Sequence, residues 1–243
     1  MKFDEKQFDE KQKEPSLLIF DCDGVLLDSE ILVCTAVSEE LTRLGYSISL
    51  ADVVRRFAGR PEREILAEVA RDWGQLVPHD YYTAMKQRVH HAFTNDLQAI
   101  DGADAVLRAL RLPRCVASSS SMVKLDQGLK FVGLFDHFAP NIVSAQLVRQ
   151  GKPAPDVFLF AAGWMRTPVA ECLVIEDSEP GVRAARAAGM RVFGFTGGSH
   201  CGEGHAERLM AAGAERVLTH MRELPAALPA AFAQAEAAAA TFE

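Results

Sequence analysis

Short runs of consecutive apolar residues alternate along the chain with stretches whose apolar positions recur every three or four residues. The runs are LLIFDC from Leu17, RCVAS near 114–118, NIVS near 141–144, CLVIED near 172–177, RVFGF near 191–195 and RVL near 216–218. Apolar runs of this length, alternating with helical patterns, predict a parallel sheet. Helical spacing shows in Ala103, Val106, Leu107 and Leu110, and in Val157, Phe158, Phe160, Ala161 and Trp164 behind the helix-starting Pro155. Each such helix is expected to cross over right-handedly and cover a sheet face. The fold class expected is therefore α/β, a doubly wound parallel sheet.

One stretch breaks the rhythm. From about Ile31 to Ile100 no strand is evident, only helix-like pieces such as ILVCTAVSEELTRL, PEREILAEVARDW and YYTAMKQRVHHAF. This reads as an all-helical insert. It follows the first strand at the end where open α/β sheets place ligands, so a lid over a site is the natural reading. Before the sheet, FDEKQ occurs twice in direct succession, too polar to build a core. The organisation predicted is a mobile N-terminal extension over 1–15, a core from 16–30 and 101–223, a helical cap over 31–100, and an Ala-rich tail over 224–243. That tail is expected to be at best a short helix with a frayed end.

Composition narrows the class. Of 243 residues, 49% are hydrophobic and 24% charged, an ordinary globular balance that needs neither disulfide nor metal to fold. A net charge of −7 argues against a general nucleic-acid binder and leaves small molecules as the expected partners. No apolar run approaches the ~18 residues of a membrane span. The five cysteines are scattered without a Cys-x-x-Cys pair, and most sit in apolar stretches, a usage that fits a reducing cytoplasm.

Candidate chemistry gathers where strands end. Strand one runs out in Phe20-Asp21-Cys22-Asp23-Gly24-Val25, two carboxylates two residues apart. Like charges that close repel unless a cation or a shared proton separates their roles, and a divalent metal supplies that reason. Strand four ends Val174-Ile175-Glu176-Asp177-Ser178, bringing two more acids to the same edge. Oxygen ligands with room for water and phosphate oxygens suit Mg²⁺. After strand two, Ser118, Ser119, Ser120 and Ser121 offer hydroxyls and helix-starting N–H groups to an anion. Lys152, in Gly151-Lys152-Pro153-Ala154-Pro155, is the only lysine from Phe131 to Glu243, a point charge suited to phosphate. Taken singly, each has an ordinary reading as turn acid, N-cap, solvated charge or helix-capping pair. Four strand ends in order carrying Asp-x-Asp-Gly, Ser, Lys and Glu-Asp make coincidence a poor explanation.

DCDGVLLDSE, ASSSS, GKPAPD and IEDSEPGVRAARAAG resemble the four motifs of the haloacid dehalogenase superfamily. More narrowly they resemble its phosphatase and β-phosphoglucomutase-like branch, with a helical cap inserted after the first motif. The resemblance covers about Leu17 to Leu218. It implies a Rossmann-like core and Mg²⁺-dependent phosphoryl transfer through an aspartyl-phosphate. By resemblance, Asp21 matches the nucleophile and Asp23 the general acid/base. Mg²⁺ would be held by Asp21, the Asp23 carbonyl and Asp177, with Glu176 in or beside the shell. Ser118, Ser119 and Lys152 would hold the phosphoryl oxygens, and Gly24 would let the backbone approach them.

Asp23 disfavours dehalogenation, since dehalogenases resemble this pattern without the second aspartate. The mutase relatives carry a histidine and a lysine where this chain has Val33 and Ala58, so hydrolysis of a small phosphorylated sugar, sugar acid or polyol is expected over isomerisation. Specificity is expected in the cap, with Gly59, Arg60 and Arg63 as candidates, although arginines on a small helical domain are more often simply solvated. The loop from Thr196 to His205 carries two histidines and a cysteine. A substrate-edge loop with His200 as contact is expected there over a metal site. A receiver-type phosphoacceptor module is the rival class, but there the acidic pair ends strand one and no helical insert follows.

Overall fold

The computed structural model describes residues 14–58, 60 and 62–232. The FDEKQ repeat, the expected cap residue Gly59 and the end of the Ala-rich tail lie outside the described residues. Six strands form one parallel sheet: β1 Leu17–Phe20, β2 Arg114–Ser118, β3 Ile142–Ser144, β4 Cys172–Glu176, β5 Arg191–Phe195 and β6 Arg216–Leu218, in the order β3-β2-β1-β4-β5-β6. Every apolar run expected to be a strand is one. Asp21 and Asp177 stand just beyond their strands, and the Asp21 N–H donates to the Ile175 carbonyl at 2.9 Å.

The strands read as unbroken apolar runs because both sheet faces are covered. Leu18 and Phe20 point into one core, Leu17 and Ile19 into the other. Between β1 and β2 come α1 Glu30–Arg43, α2 Leu50–Phe57, α3 Glu62–Trp73 and α4 Tyr81–Asn95, then α5 Ala103–Ala109 on the sheet. The first core packs on α5 and on α6 Met122–Phe131. The second packs on α7 Asp156–Trp164, α8 Glu179–Ala187 and α9 His205–Ala212. The architecture is the expected doubly wound α/β sheet with a helical insert.

Helices α1 to α4 bury a third cluster of their own, including Val37, Leu41, Val53, Phe57, Val69, Tyr81 and Met85. Glu40 is fully buried within it and is satisfied by Arg43 and Arg88. Helix α2 did not stand out in the periodicity. It is only eight residues long, capped by Ser49, whose Oγ accepts from the Asp52 N–H, and it buries Val53 and Phe57 four apart. The two chain segments joining this bundle to the sheet are tied together: the Asp28 N–H donates to the Gln98 carbonyl and the Ile100 N–H to the Leu26 carbonyl, both at 2.9 Å.

The tail expectation needs correcting. From Leu224 the chain forms α10 Leu224–Ala227 and α11 Pro229–Phe232, and Leu224, Leu228 and Ala231 are buried in the first core. Leucines spaced by four residues, with alanines between, supply a face that packs although prolines interrupt the helix. No described helix is long and apolar enough to cross a membrane.

Phe20 on the central strand is fully buried, edge-on to Phe138 at 5.8 Å between ring centroids. Phe20→Ala is expected to cost about 3–5 kcal/mol in urea unfolding; an unchanged midpoint would contradict the packing described.

Candidate active site

Strand order reverses direction of growth at β1 and β4, the place where an open α/β sheet leaves a crevice beyond its carboxyl ends. Asp21 leaves β1 there, Glu176 and Asp177 leave β4, Ser118 ends β2, and Lys152 arrives on the loop between β3 and α7. The Lys152 ammonium sits 2.6 Å from Asp21 Oδ1 and 2.7 Å from Glu176 Oε2, with its side chain 5% exposed. Carboxylate oxygens of Asp21, Glu176 and Asp177 lie within 4.8 Å of one another, all three residues buried.

The electrostatics follow from that crowding. Burial, then the Glu176 charge, push the Asp21 carboxyl well above the usual range against the pull of Lys152. Burial, then Glu176 and Glu30, do the same to Asp177. Burial works against the Lys152 ammonium, but the charges of Asp21 and Glu176 outweigh it and push its pKa up. One ammonium faces three buried carboxylates, so ionising all three calls for further positive charge. The donors are all oxygens. Charge and donor type both fit a hard divalent cation.

Two glycines leave room for this arrangement. Gly24 adopts φ +79°, and a Cβ there would stand 1.9 Å from Asp177 Oδ2. A Cβ on Gly181, in the first turn of α8, would stand 2.0 Å from Glu176 Cδ. Ser178 caps that helix and also donates its Oγ–H to Glu176 Oε1 at 2.6 Å, so the helix start and the carboxylate are positioned together.

Asp23 has a different environment. Its Oδ1 accepts from Ser29 Oγ at 2.6 Å and lies 2.9 Å from Lys124 Nζ, while its Oδ2 accepts from Ser120 Oγ at 2.5 Å. Burial raises its pKa, but Lys124 and the two hydroxyls more than offset this and hold it below the ordinary value. The two aspartates of Asp-Cys-Asp are thereby driven apart in proton affinity.

The residues singled out in the sequence fall as follows. Asp21, Asp23, Ser118, Ser119, Lys152, Asp177, Arg60 and His200 line one cavity of about 620 Å³. Ser119 is exposed, whereas Ser118 is buried with its Oγ accepting from the Ser120 N–H at 3.0 Å. His200 is buried with Nε2 3.1 Å from Asp177 Oδ2. Arg60 is held by Glu68 at 2.8 Å, and Arg63 is exposed on α3, away from the cavity lining. Sequence reading missed Ser29, Lys124 and Gly181. Lys124 had a signal: a cation in the first turn of a helix opposes the helix dipole and calls for a compensating anion, here Asp23.

A family model described as haloacid dehalogenase-like hydrolase matches residues 18–195. The 6-phosphogluconate phosphatase of Escherichia coli is 29% identical over 86% of this chain and 92% of its own. A haloacid dehalogenase-like protein of unknown function from Agrobacterium tumefaciens superposes with a TM-score of 0.84 at 42% identity, covering 88% of this chain and 98% of its own. A HAD family hydrolase from Deinococcus radiodurans, solved with bound phosphate and sodium, superposes with a TM-score of 0.79 at 33% identity, over 90% and 97%.

Lys152→Met removes the one cation inside the acidic cluster and is expected to cost about 3–5 kcal/mol. Asp21 and Asp177 bind protons more tightly folded than unfolded. Their protonation therefore favours the fold at low pH, and that support is lost as pH rises through their raised pKa values. The penalty of Lys152→Met should be larger in alkaline than in mildly acidic buffer by urea unfolding; equal penalties would contradict the charge assignment.

Proposed function

The chain belongs to the haloacid dehalogenase-like hydrolases, and from that membership we propose that it is a Mg²⁺-dependent phosphatase of a small phosphorylated sugar, sugar acid or polyol, working through a phosphorylated Asp21. The observation that carries the reading is the buried cluster of Asp21, Glu176 and Asp177 around a single ammonium.

In this reading an Asp21 carboxylate oxygen attacks phosphorus, the ester P–O bond breaks, and the leaving alcohol takes a proton from Asp23. Water then gives a proton back to Asp23 and attacks the aspartyl-phosphate, releasing inorganic phosphate and restoring the Asp21 carboxylate. The lowered pKa of Asp23 suits the second step. For the first, the incoming ester has to part Asp23 from Lys124. Lys152, Ser118 and Ser119 hold phosphoryl oxygens, where positioning and charge stabilisation supply most of the rate. Asp21, Asp177 and the Asp23 carbonyl would hold Mg²⁺, with Glu176 beside them through Lys152. When bound, Mg²⁺ supplies the charge that neutralises the transferring group.

The substrate class is supported by the named activity of the E. coli relative, a phosphatase of a sugar acid phosphate. Helices α1 to α4 act as a cap over the site, opening and closing about the linkers near Ser29 and Asp101. Within that cap Arg60 is the specificity residue best supported, since it lines the cavity. The overall charge of −7 and the five free thiols support a small-molecule partner and a reducing cytoplasm.

Inorganic phosphate release is to be measured with and without Mg²⁺ on a panel of sugar, sugar-acid, polyol and two-carbon phosphates. Metal-dependent release is expected, reduced roughly 10³-fold or more in Asp21→Asn with the fold intact. Normal turnover in that variant would sink the mechanism. Isomerisation of β-glucose 1-phosphate without release would instead identify a mutase.

A further inference from the structure

The loop from Thr196 to Gly204 brings together donors that the proposed reaction does not use. One ligand atom from each of His200, Cys201 and His205 lies within 4.8 Å of the other two. The set contains two imidazole nitrogens and a sulfur, against the all-oxygen cluster around Asp21. Hard Mg²⁺ suits the oxygens; thiolate and imidazole select a softer ion such as Zn²⁺.

The His200–Cys201 separation fits. Zinc bonds of ~2.0–2.1 Å to nitrogen and ~2.3 Å to sulfur put the N–S edge of a tetrahedron at roughly 3.5 Å. His200 Nε2 and Cys201 Sγ stand 3.5 Å apart. The loop is also fixed. The Cys201 N–H donates to the Gly198 carbonyl at 3.0 Å, and a Cβ on Gly198 would come within 2.8 Å of His200 Nδ1, so the imidazole lies flush against backbone. His205 opens α9. Its Nε2 contacts the Asp177 carbonyl at 2.6 Å and its Nδ1 the half-exposed Arg208 at 3.2 Å, and a bound cation replaces one of these contacts. Of the five cysteines, Cys201 alone is not buried, so ions reach it from solvent.

We propose that His200, Cys201 and His205 form a second metal site that binds Zn²⁺, and that its occupation inhibits the phosphatase by drawing on Asp177. On binding, the Cys201 thiol gives its proton to water and the imidazoles contribute lone pairs, leaving a fourth position open. The Asp177 carboxylate is the group beside that position, its Oδ2 being 3.1 Å from His200 Nε2. A carboxylate shared with zinc is no longer free for the acidic cluster. The binding half of the proposal stands on the donors alone; the inhibitory half rests on the phosphatase reading above.

The test uses the full chain in millimolar Mg²⁺, which occupies oxygen sites. Zn²⁺ is titrated against a chromogenic chelator, and Co²⁺ is used as a spectroscopic substitute. About one equivalent of Zn²⁺ is expected, with a thiolate-to-cobalt charge-transfer band in the near ultraviolet. Even outer-shell partners of a metal are worth roughly 10–100-fold in affinity, so Cys201→Ser and His205→Gln should each weaken binding by about 100-fold, with the cobalt band lost in the serine variant. Asp21→Asn should retain the site. In the wild type, Zn²⁺ should protect Cys201 from alkylation, a readout that needs no variant. Absence of stoichiometric binding, wild-type affinity in both site variants, loss of binding in Asp21→Asn, or alkylation of Cys201 unaffected by zinc would each overturn the site. Zinc inhibition of phosphate release, relieved in Cys201→Ser, tests the coupling. If no ester is turned over, the binding measurements still decide the site while the phosphatase reading fails by itself.

Discussion

The arrangement turns on one buried ammonium. Lys152 bridges Asp21, just beyond the end of β1, and Glu176, the last residue of β4, with Asp177 alongside. Without a cation, carboxylates this deep would have to take up protons or push apart, and the ends of β1 and β4 would separate. The local backbone is built around that contact. Gly24 and Gly181 clear the space that Asp177 and Glu176 occupy, and Ser178 holds Glu176 while capping α8. With one ammonium for three carboxylates, the cluster has the charge and the oxygen donors that suit a divalent cation.

A second constraint joins the helical bundle to Asp23. Ser29, whose Oγ donates to Asp23, is the residue just before α1, where the chain leaves the sheet for the helical bundle. Lys124 reaches the same carboxylate from α6 and packs its ammonium 4.8 Å from the ring centre of Phe93 on α4. Asp23 is thus touched from both sides of the cleft. The two linkers beside it are hydrogen-bonded to each other through Asp28 and Ile100.

The sheet was legible because strands buried on both faces must be apolar at every position, a signal independent of partners. The four motif positions were legible because charges at the ends of such strands stand out against them. What escaped reading depended on contacts distant in sequence. Lys124 finds Asp23 a hundred residues away, and only its awkward place in the first helical turn hinted at this. Gly181 looks like an ordinary small helical residue until Glu176 is seen to fill its missing side chain. Helix α2 was too short to show a period. Leu224 and Leu228 were hidden by alanines and prolines that suggest a loose end, although both are buried. His200 was expected at the substrate edge and lines the cavity; its contact with Asp177, a partner distant in sequence, could not be read.

The central claim is that Asp21 becomes phosphorylated. The direct measurement is an acid quench during turnover of a ³²P-labelled sugar phosphate, followed by peptide mapping. Label is expected on the peptide carrying Asp21, stable in acid and released by hydroxylamine as an acyl phosphate must be. Turnover with no labelled peptide, or label on a different residue, would contradict it.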